Sequence, residues 1–337
     1  KHTGIATANG PQMPSLQERL LLPARMLRDH FTFSTAIKEL KQFVAIHRID
    51  VIHCNNQPST NRFAYLARGT RPIVQHVRDA PLTRSLHMSH LANQSTHLFS
   101  ISDYVRNDAI SAFRLDPKRI STIYNPIGHE FSSSSDMRAC QRYDWGIEKE
   151  IVVFGMAGRI IPWKGVDRAI SAYNELCRDT NMEEKTRLVI VGASDSPTEY
   201  EKRCRFLAGD RLGRSIHILP FTKDVTRIFN GFDLVLHPIL KPEGFGRVII
   251  EGMACGAPPL GRRLGALPEL IEDGCNGHLF LEDSDLIELM RAVSTVPEAL
   301  TKMKAEAIRT AARFGPENLV PSFEKKYSEL FLDTQKS

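Results

Sequence analysis

No stretch of this 337-residue chain approaches the roughly 18 uninterrupted apolar residues that a membrane-crossing helix needs. Residues Lys1 to Pro14 are small and polar, with none of the apolar core of a secretory signal, and read as a flexible leader. The six cysteines (54, 140, 177, 204, 255 and 275) are scattered, with no C-x-x-C pair and no metal-ligand spacing, so they read as reduced packing residues of a cytosolic protein. There is no internal repeat and no low-complexity tract beyond Ser132–Ser135. These absences exclude an integral membrane bundle, a disulfide-stapled scaffold, a zinc ribbon and a repeat array. What remains, 42% hydrophobic and 25% charged residues, is the composition of a globular protein long enough for two cores.

Charge is unevenly placed. Residues 1–148 carry 18 Lys and Arg against 12 Asp and Glu, whereas residues 149–337 carry 26 against 27. Nine of the twelve histidines also lie in the first stretch. A basic first half suits a phosphorylated acceptor or an anionic membrane surface, and ordinary surface charge accounts for it equally well.

The apolar pattern predicts helices over Leu16–Phe31 and Thr35–Ile46, the second with Ile37, Leu40 and Val44 on one face. Strands are expected at Asp50–His53, Pro72–Val77, His97–Ile101 and Ile120–Tyr124, with helical stretches between them. A second alternating series begins at Ile151, Leu188, Ile216, Phe232 and Pro258. Alternation of this kind marks parallel α/β sheets. The segment Gly128–Lys149, with its serine run, reads as an interdomain linker.

Two segments carry chemistry. EGFGRVIIEGMACG (Glu243–Gly256) sets two carboxylates eight residues apart across a glycine-interrupted turn that opens into a helix. The backbone N–H groups near Phe245–Val248 then converge on one spot, the usual anion site of a helix N-terminus. Glu243 and Glu251 are spaced to hold opposite ends of an elongated ligand, and an ordinary capped amphipathic helix is the alternative. FGMAGRIIPWKGVDRAI (Phe154–Ile170) reads as strand, glycine loop and helix, with Arg159 and Lys164 on the loop beside Gly158. A planar fork and a mobile point charge at a glycine turn can clamp a diphosphate. Solvated loop cations are the plainer reading of that pair taken alone.

With these segments in place the chain resembles the GT4 family of retaining glycosyltransferases, from about Asp50 to Leu330 and most densely after Ile151. LVIVG (188–192), HILPFTKDVTRIFNGFDLVLHP (217–238) and LGALPELIEDGCNGHLF (264–280) also look like family segments, in the family's order. The resemblance implies a GT-B fold, two Rossmann-like parallel-sheet domains facing a cleft. The domains are expected at 1–127 and 150–315, with a linker at 128–149 and a final helix at 316–337 returning toward the first domain. It implies transfer of a sugar from a nucleotide-diphosphate sugar to a glycan or lipid-linked acceptor, with retention and without metal or other cofactor. The donor would be held by Gly158, Arg159, Lys164, Gly192, Phe221, Gly244, Phe245, Gly246, Arg247 and Glu251, with Glu243 stabilising the sugar. PIVQHVRDAP (72–81) occupies the place of a family strand ending in His-Asp, so His76 and Arg78, two apart on one strand face, are expected near the sugar. A satisfied buried histidine is the alternative for His76. Nothing before Asp50 fills the family's opening strand, glycine loop, helix and strand, so either the chain is part of a longer protein or the first domain lacks that unit.

Lesser expectations complete the reading. Asp103 is expected to cap a helix, and Asn125 fits a turn closing the first domain. His87, His90 and His97 belong to a helix running into a strand rather than to a metal site. Asp283 and Asp285 read as an N-cap rather than a metal-binding D-x-D. The expected setting is cytoplasmic, with peripheral contact to an anionic membrane face and no nucleic acid. A GT-B nucleotide-sugar epimerase, a longer glycogen-synthase or phosphorylase type and an inactive sugar-nucleotide binder stand as rival readings.

Overall fold

The computed structural model of the chain describes residues 16–335 except 68, 70, 81 and 83. It divides into two compact units, the first formed by the described residues up to Tyr124 and from Val320 onward, the second by Asn125–Leu319.

The first unit holds a four-stranded parallel sheet in the order β1 (Ile52–Asn55), β2 (Ile73–Val77), β3 (His97–Ser100), β4 (Ile120–Thr122). All four begin within two residues of the strand starts expected from the apolar pattern. Before β1 the described residues form only helices, Leu16–Thr32 and Ser34–Ile46, the second burying Ile37 and Val44. β2 is buried on both faces. The helix Pro316–Gln335, which enters this unit at Val320, brings Phe323 within 4.9 Å of the Phe99 ring and 5.6 Å of His76.

The second unit holds a six-stranded sheet, β5 (Val152–Ala157), β6 (Thr186–Ala193), β7 (Ile216–Pro220), β8 (Leu234–His237), β9 (Pro259–Arg262) and β10 (His278–Phe280), paired in the order β10-β9-β8-β5-β6-β7. Every pairing is parallel. β10 is an addition to the five strands expected. Phe154, Leu188, Ile190, Leu234 and Leu236 from the strands meet Ile170 and Tyr173 from the helix Val166–Leu176, so the apolar runs are continuous because helices cover the sheet. The strand order reverses between β5 and β8. In open α/β sheets ligands settle outside the carboxyl ends of the strands at such a reversal, and that places attention on the residues after Ala157 and His237.

Residues 128–149 are not an open linker. Ser135–Trp145 is a helix, capped by the Ser134 hydroxyl, which accepts from Met137 N. Its Arg138 and Arg142, one turn apart, both reach Asp233 just before β8, and Arg142 also donates to the carbonyls of Glu148, Lys149, Ile151 and Gly231. Trp145 stacks on Phe232 at 5.7 Å. The segment's polar composition suggested a linker because its charges are spent on partners some 90 residues away.

Candidate functional site

The loop after β5 runs Gly158, Arg159, Ile160, Ile161 into a short 3-10 turn, Pro162–Lys164, closed by Gly165 at φ +70°. A Cβ on Gly165 would lie 2.0 Å from the Pro238 carbonyl oxygen, so only glycine lets this turn press against the chain leaving β8. Leu240 N donates to Trp163 O at 2.8 Å and ties the same two loops. The result is to set Lys164 beside the end of β8.

There Lys164 Nζ donates to Glu243 Oε1 at 2.7 Å, and His237 Nε2 lies 2.7 Å from Glu243 Oε2. Both oxygens of the carboxylate are therefore engaged, each by a different group. Lys164 also sits 4.4 Å from the centre of the Trp163 ring, a cation–π contact that steadies its stem. Burial acts to raise the Glu243 pKa, but the hydrogen bond and charge of His237, with Lys164 behind them, prevail and hold the carboxyl down at about 2. Glu243 is thus a fixed anion. Its backbone is held too, since Ala266 N donates to Glu243 O at 3.1 Å.

Gly158, Arg159, Lys164, His237 and Val248 line one crevice at the reversal point. Arg159 is exposed, and among the described residues it has no ion-pair or hydrogen-bond partner. Gly246, at φ +97°, begins the helix Arg247–Ala254, whose first turn carries no side-chain cap. An unpaired cation, a shared cation and an uncapped helix N-terminus are groups of the kind that attract an anion.

The other expected positions lie at the ends of neighbouring strands or along the turn and helix from Glu243 to Ala254. Gly192 is the penultimate residue of β6, and a Cβ there would lie 2.0 Å from Gly158 O, so its glycine keeps the two strand ends in contact. Phe221 follows β7 and is 71% exposed, with its N–H given to Ala193 O, a flat apolar ring at the carboxyl edge. Phe245 is buried with its ring 5.8 Å from Phe314, so it offers backbone only, beside Gly244. Arg247 pairs with Glu251 through Nε at 3.1 Å and Nη2 at 2.9 Å. Glu251 is buried, and burial, joined by Glu130 and opposed by Arg247, raises its pKa.

In the first unit His76 is 6% exposed, its ring among His53, Phe99 and Phe323, and its Nε2 has no partner. Burial, then the charges of Arg78 and His53, push its pKa down to about 3. His76 is therefore a neutral histidine closed in by rings, buried as in the alternative reading but without a partner at Nε2. Arg78, one residue past β2, is exposed. Ser102, not Asp103, caps the next helix, its hydroxyl accepting from Val105 N, while Asp103 accepts from Thr122. Glu282, not Asp283, caps the helix Asp283–Thr295, in a capping box with Asp285. His87 pairs with Asp29 and His97 with Ser121. Among the described residues no three His, Cys, Asp or Glu side chains are grouped to hold a metal.

The residue missed from the sequence is His237. Its signal was local: a histidine closing the otherwise apolar LVLH strand, six residues before a carboxylate on a turn.

The model of the family described as "Glycosyl transferases group 1" matches residues 138–310, half of the chain, and that of "Glycosyltransferase Family 4" matches residues 7–131. D-inositol 3-phosphate glycosyltransferase 2 of Catenulispora acidiphila is 27% identical over 280 residues, 79% of this chain and 62% of that protein. A D-inositol 3-phosphate glycosyltransferase of Streptomyces bingchenggensis is 25% identical over 290 residues, 84% of this chain and 62% of its own length. The chain thus spans about 62% of the length of these curated relatives. Among solved structures, Anabaena HepE in complex with UDP superposes with a TM-score of 0.77 at 23% identity, over 87% of this chain and 82% of that one. A glycosyltransferase of Rickettsia africae gives 0.78 at 16% identity, over 89% and 82%. These structural neighbours are of the GT-B fold class expected from the sequence. The crevice at the reversal of the six-stranded sheet and the glutamate-bearing turn beside it lie within the matched region, and the chain belongs to the group 1 glycosyl transferase family.

Proposed function

We propose that the chain transfers a sugar from a nucleotide-diphosphate sugar to a hydroxyl of a glycan, lipid-linked or phosphorylated acceptor, as a GT4-type enzyme that retains anomeric configuration and uses no metal. The observation that carries this reading is the pairing of exposed Arg159 and Glu243-bound Lys164 beside the uncapped helix start at Gly246. As the sugar–phosphate bond breaks, negative charge builds on the departing diphosphate, where these cations and helix amides are already oriented. Lys164 gives up Glu243 for the diphosphate, and the freed carboxylate oxygen accepts a sugar hydroxyl. Glu251, buried beside Arg247, takes the ribose hydroxyls, and Phe221 offers its face to the base. The mechanism we favour is front-face departure, with the leaving phosphate taking the acceptor proton.

The acceptor side falls to the first unit, where exposed Arg78 suits a phosphate; the basic balance of residues 1–148 supports the same class and a peripheral contact with an anionic membrane. No described helix is long and apolar enough to cross a membrane. A role in building surface polysaccharide or glycolipid in the cytoplasm follows from this acceptor class.

The test is calorimetric titration with UDP-, GDP- and ADP-sugars, UDP first because HepE was solved with it. One nucleotide class should bind, and Arg159→Ala/Lys164→Ala should weaken it by about 100-fold, two charge-assisted contacts being lost. A folded chain that binds none of the three would overturn the reading.

A further inference from the structure

His237 closes a strand that is otherwise Leu234, Val235 and Leu236, all buried, and is itself only 5% exposed at the side chain. A buried histidine needs a partner, and here Nε2 takes Glu243 Oε2 at 2.7 Å. The other carboxylate oxygen belongs to Lys164. The two contacts differ in kind. Lys164 stands on a loop that lines the crevice, with a charge for which any incoming phosphate competes. His237 is fixed in the sheet, in register with Gly261 of β9, and also lines the crevice.

We propose, on the basis of the donor reading above, that His237 is the positioning residue of the site. It anchors Oε2 of Glu243 so that Oε1, vacated when Lys164 moves to the diphosphate, stays aimed at a sugar hydroxyl. Without that anchor, loss of Lys164 would leave the carboxylate free to rotate on a turn between Pro242 and Gly244, or to follow the lysine. Recognition of the sugar is then separable from recognition of the diphosphate: Lys164 and Arg159 serve the diphosphate, His237 through Glu243 serves the sugar. In this role the histidine acts through Glu243.

The separation is measurable in the ratio of two affinities. UDP, GDP and ADP are titrated beside UDP-glucose, GDP-mannose and ADP-glucose into the chain and into His237→Leu and His237→Gln, with thermal unfolding of each variant as a control. In His237→Leu, which fills the space but cannot donate, the binding nucleotide-sugar should weaken by about 10- to 100-fold, the loss of one hydrogen bond to a charged group. The free diphosphate should stay within about threefold. His237→Gln, whose amide N–H can donate, should recover at least half of the lost affinity on a logarithmic scale. Equal weakening of diphosphate and sugar nucleotide, or no rescue by Gln in a variant that unfolds at the wild-type temperature, would overturn the positioning role while leaving the donor reading intact. Silence of the wild-type chain toward all six compounds would overturn the donor reading and this inference with it.

Discussion

The two ends of the six-stranded sheet each hold a carboxylate engaged by basic side chains, and they behave as opposites. At the amino end, Asp233 meets Arg138 at 2.6 Å, Lys304 at 2.5 Å and Arg142, and accepts from Val153 N at 2.8 Å. At the carboxyl end, Glu243 meets Lys164 and His237. Burial acts against ionisation at both, and in both the neighbouring positive groups win, so each carboxyl titrates at about 2. The difference lies in access. The Asp233 side chain is 6% exposed and its cations are committed to it and to carbonyls, whereas Glu243 is 21% exposed and Arg159, which lines the crevice with Lys164, has no partner among the described residues. A charge cluster with every group committed is a rivet; one with a spare cation and a shared oxygen can exchange partners with a ligand.

The largest effect should fall on the committed end. Asp233→Ala strands three cations in a site built for a carboxylate and should cost about 3–5 kcal/mol of stability. Urea unfolding followed by tryptophan fluorescence measures this directly, because Trp145 and Trp163 both lie in the second unit. A loss below about 1 kcal/mol would mean that the amino-end cluster is no more locked than the other.

At the carboxyl end the same kind of change should fall on chemistry as well. Glu243→Gln keeps the shape and should cost up to about 3 kcal/mol at neutral pH, the worth of a carboxyl held at about 2 against its ordinary 4.5, while lowering transfer by about 100-fold or more, in the range seen when one group stabilising transition-state charge is removed. Below pH 4.5 the contrast should fade. A carboxyl depressed from its ordinary value stabilises the fold above that value and loses the contribution as pH falls toward 2, so wild type and variant should converge in stability across that window. Initial-rate assays and pH-dependent denaturation separate the two effects.

Gly165 links the loops that make the exchange possible. Gly165→Ala meets the Pro238 carbonyl at 2.0 Å in a left-handed backbone, and should cost about 1–3 kcal/mol. It should also weaken donor binding, since Lys164 rides on that turn. Donor affinity unchanged in a destabilised variant would show that Lys164 is placed by its cation–π contact alone.

How much of this was legible in advance followed the range of the interactions. Strands such as Ile73–Val77 and Thr186–Ala193 announce themselves by local apolar runs, and Arg159, Lys164 and Glu243 by their positions on glycine turns. His237 was visible as a polar end to an apolar strand, yet its meaning depended on a turn that doubles back over six residues. The helix Ser135–Trp145 was hidden because Arg138 and Arg142 look like solvent-facing charge until Asp233, more than 90 residues on, is brought to them. The surroundings of His76 were hidden for the converse reason. Its strand position was right, but the rings that enclose it come from Phe99 and from Phe323 near the chain's other end.

That enclosure yields the smallest change in stability and the sharpest contrast between histidines. His237 has a carboxylate partner, whereas His76 has a buried Nε2 with none. His76→Phe should therefore leave transfer within about threefold and neutral-pH stability within about 1 kcal/mol, since a neutral ring among rings is replaced by another. Its effect should appear in acid. With a folded pKa near 3 against an ordinary 6.5, His76 takes up a proton in the unfolded chain but not in the folded one between those values, so it destabilises the first unit as pH falls through that window. His97, held at about 4 chiefly by burial, adds in the same direction. Circular dichroism of the wild type should accordingly begin to fall in acid before tryptophan fluorescence does, because both tryptophans report the second unit, whose depressed carboxylates hold until pH drops below about 4.5. His76→Phe should move the first loss to lower pH and leave the fluorescence transition in place. An unmoved first transition would show that the His76 ring is hydrated in solution, and a large loss of transfer would return it to the active site.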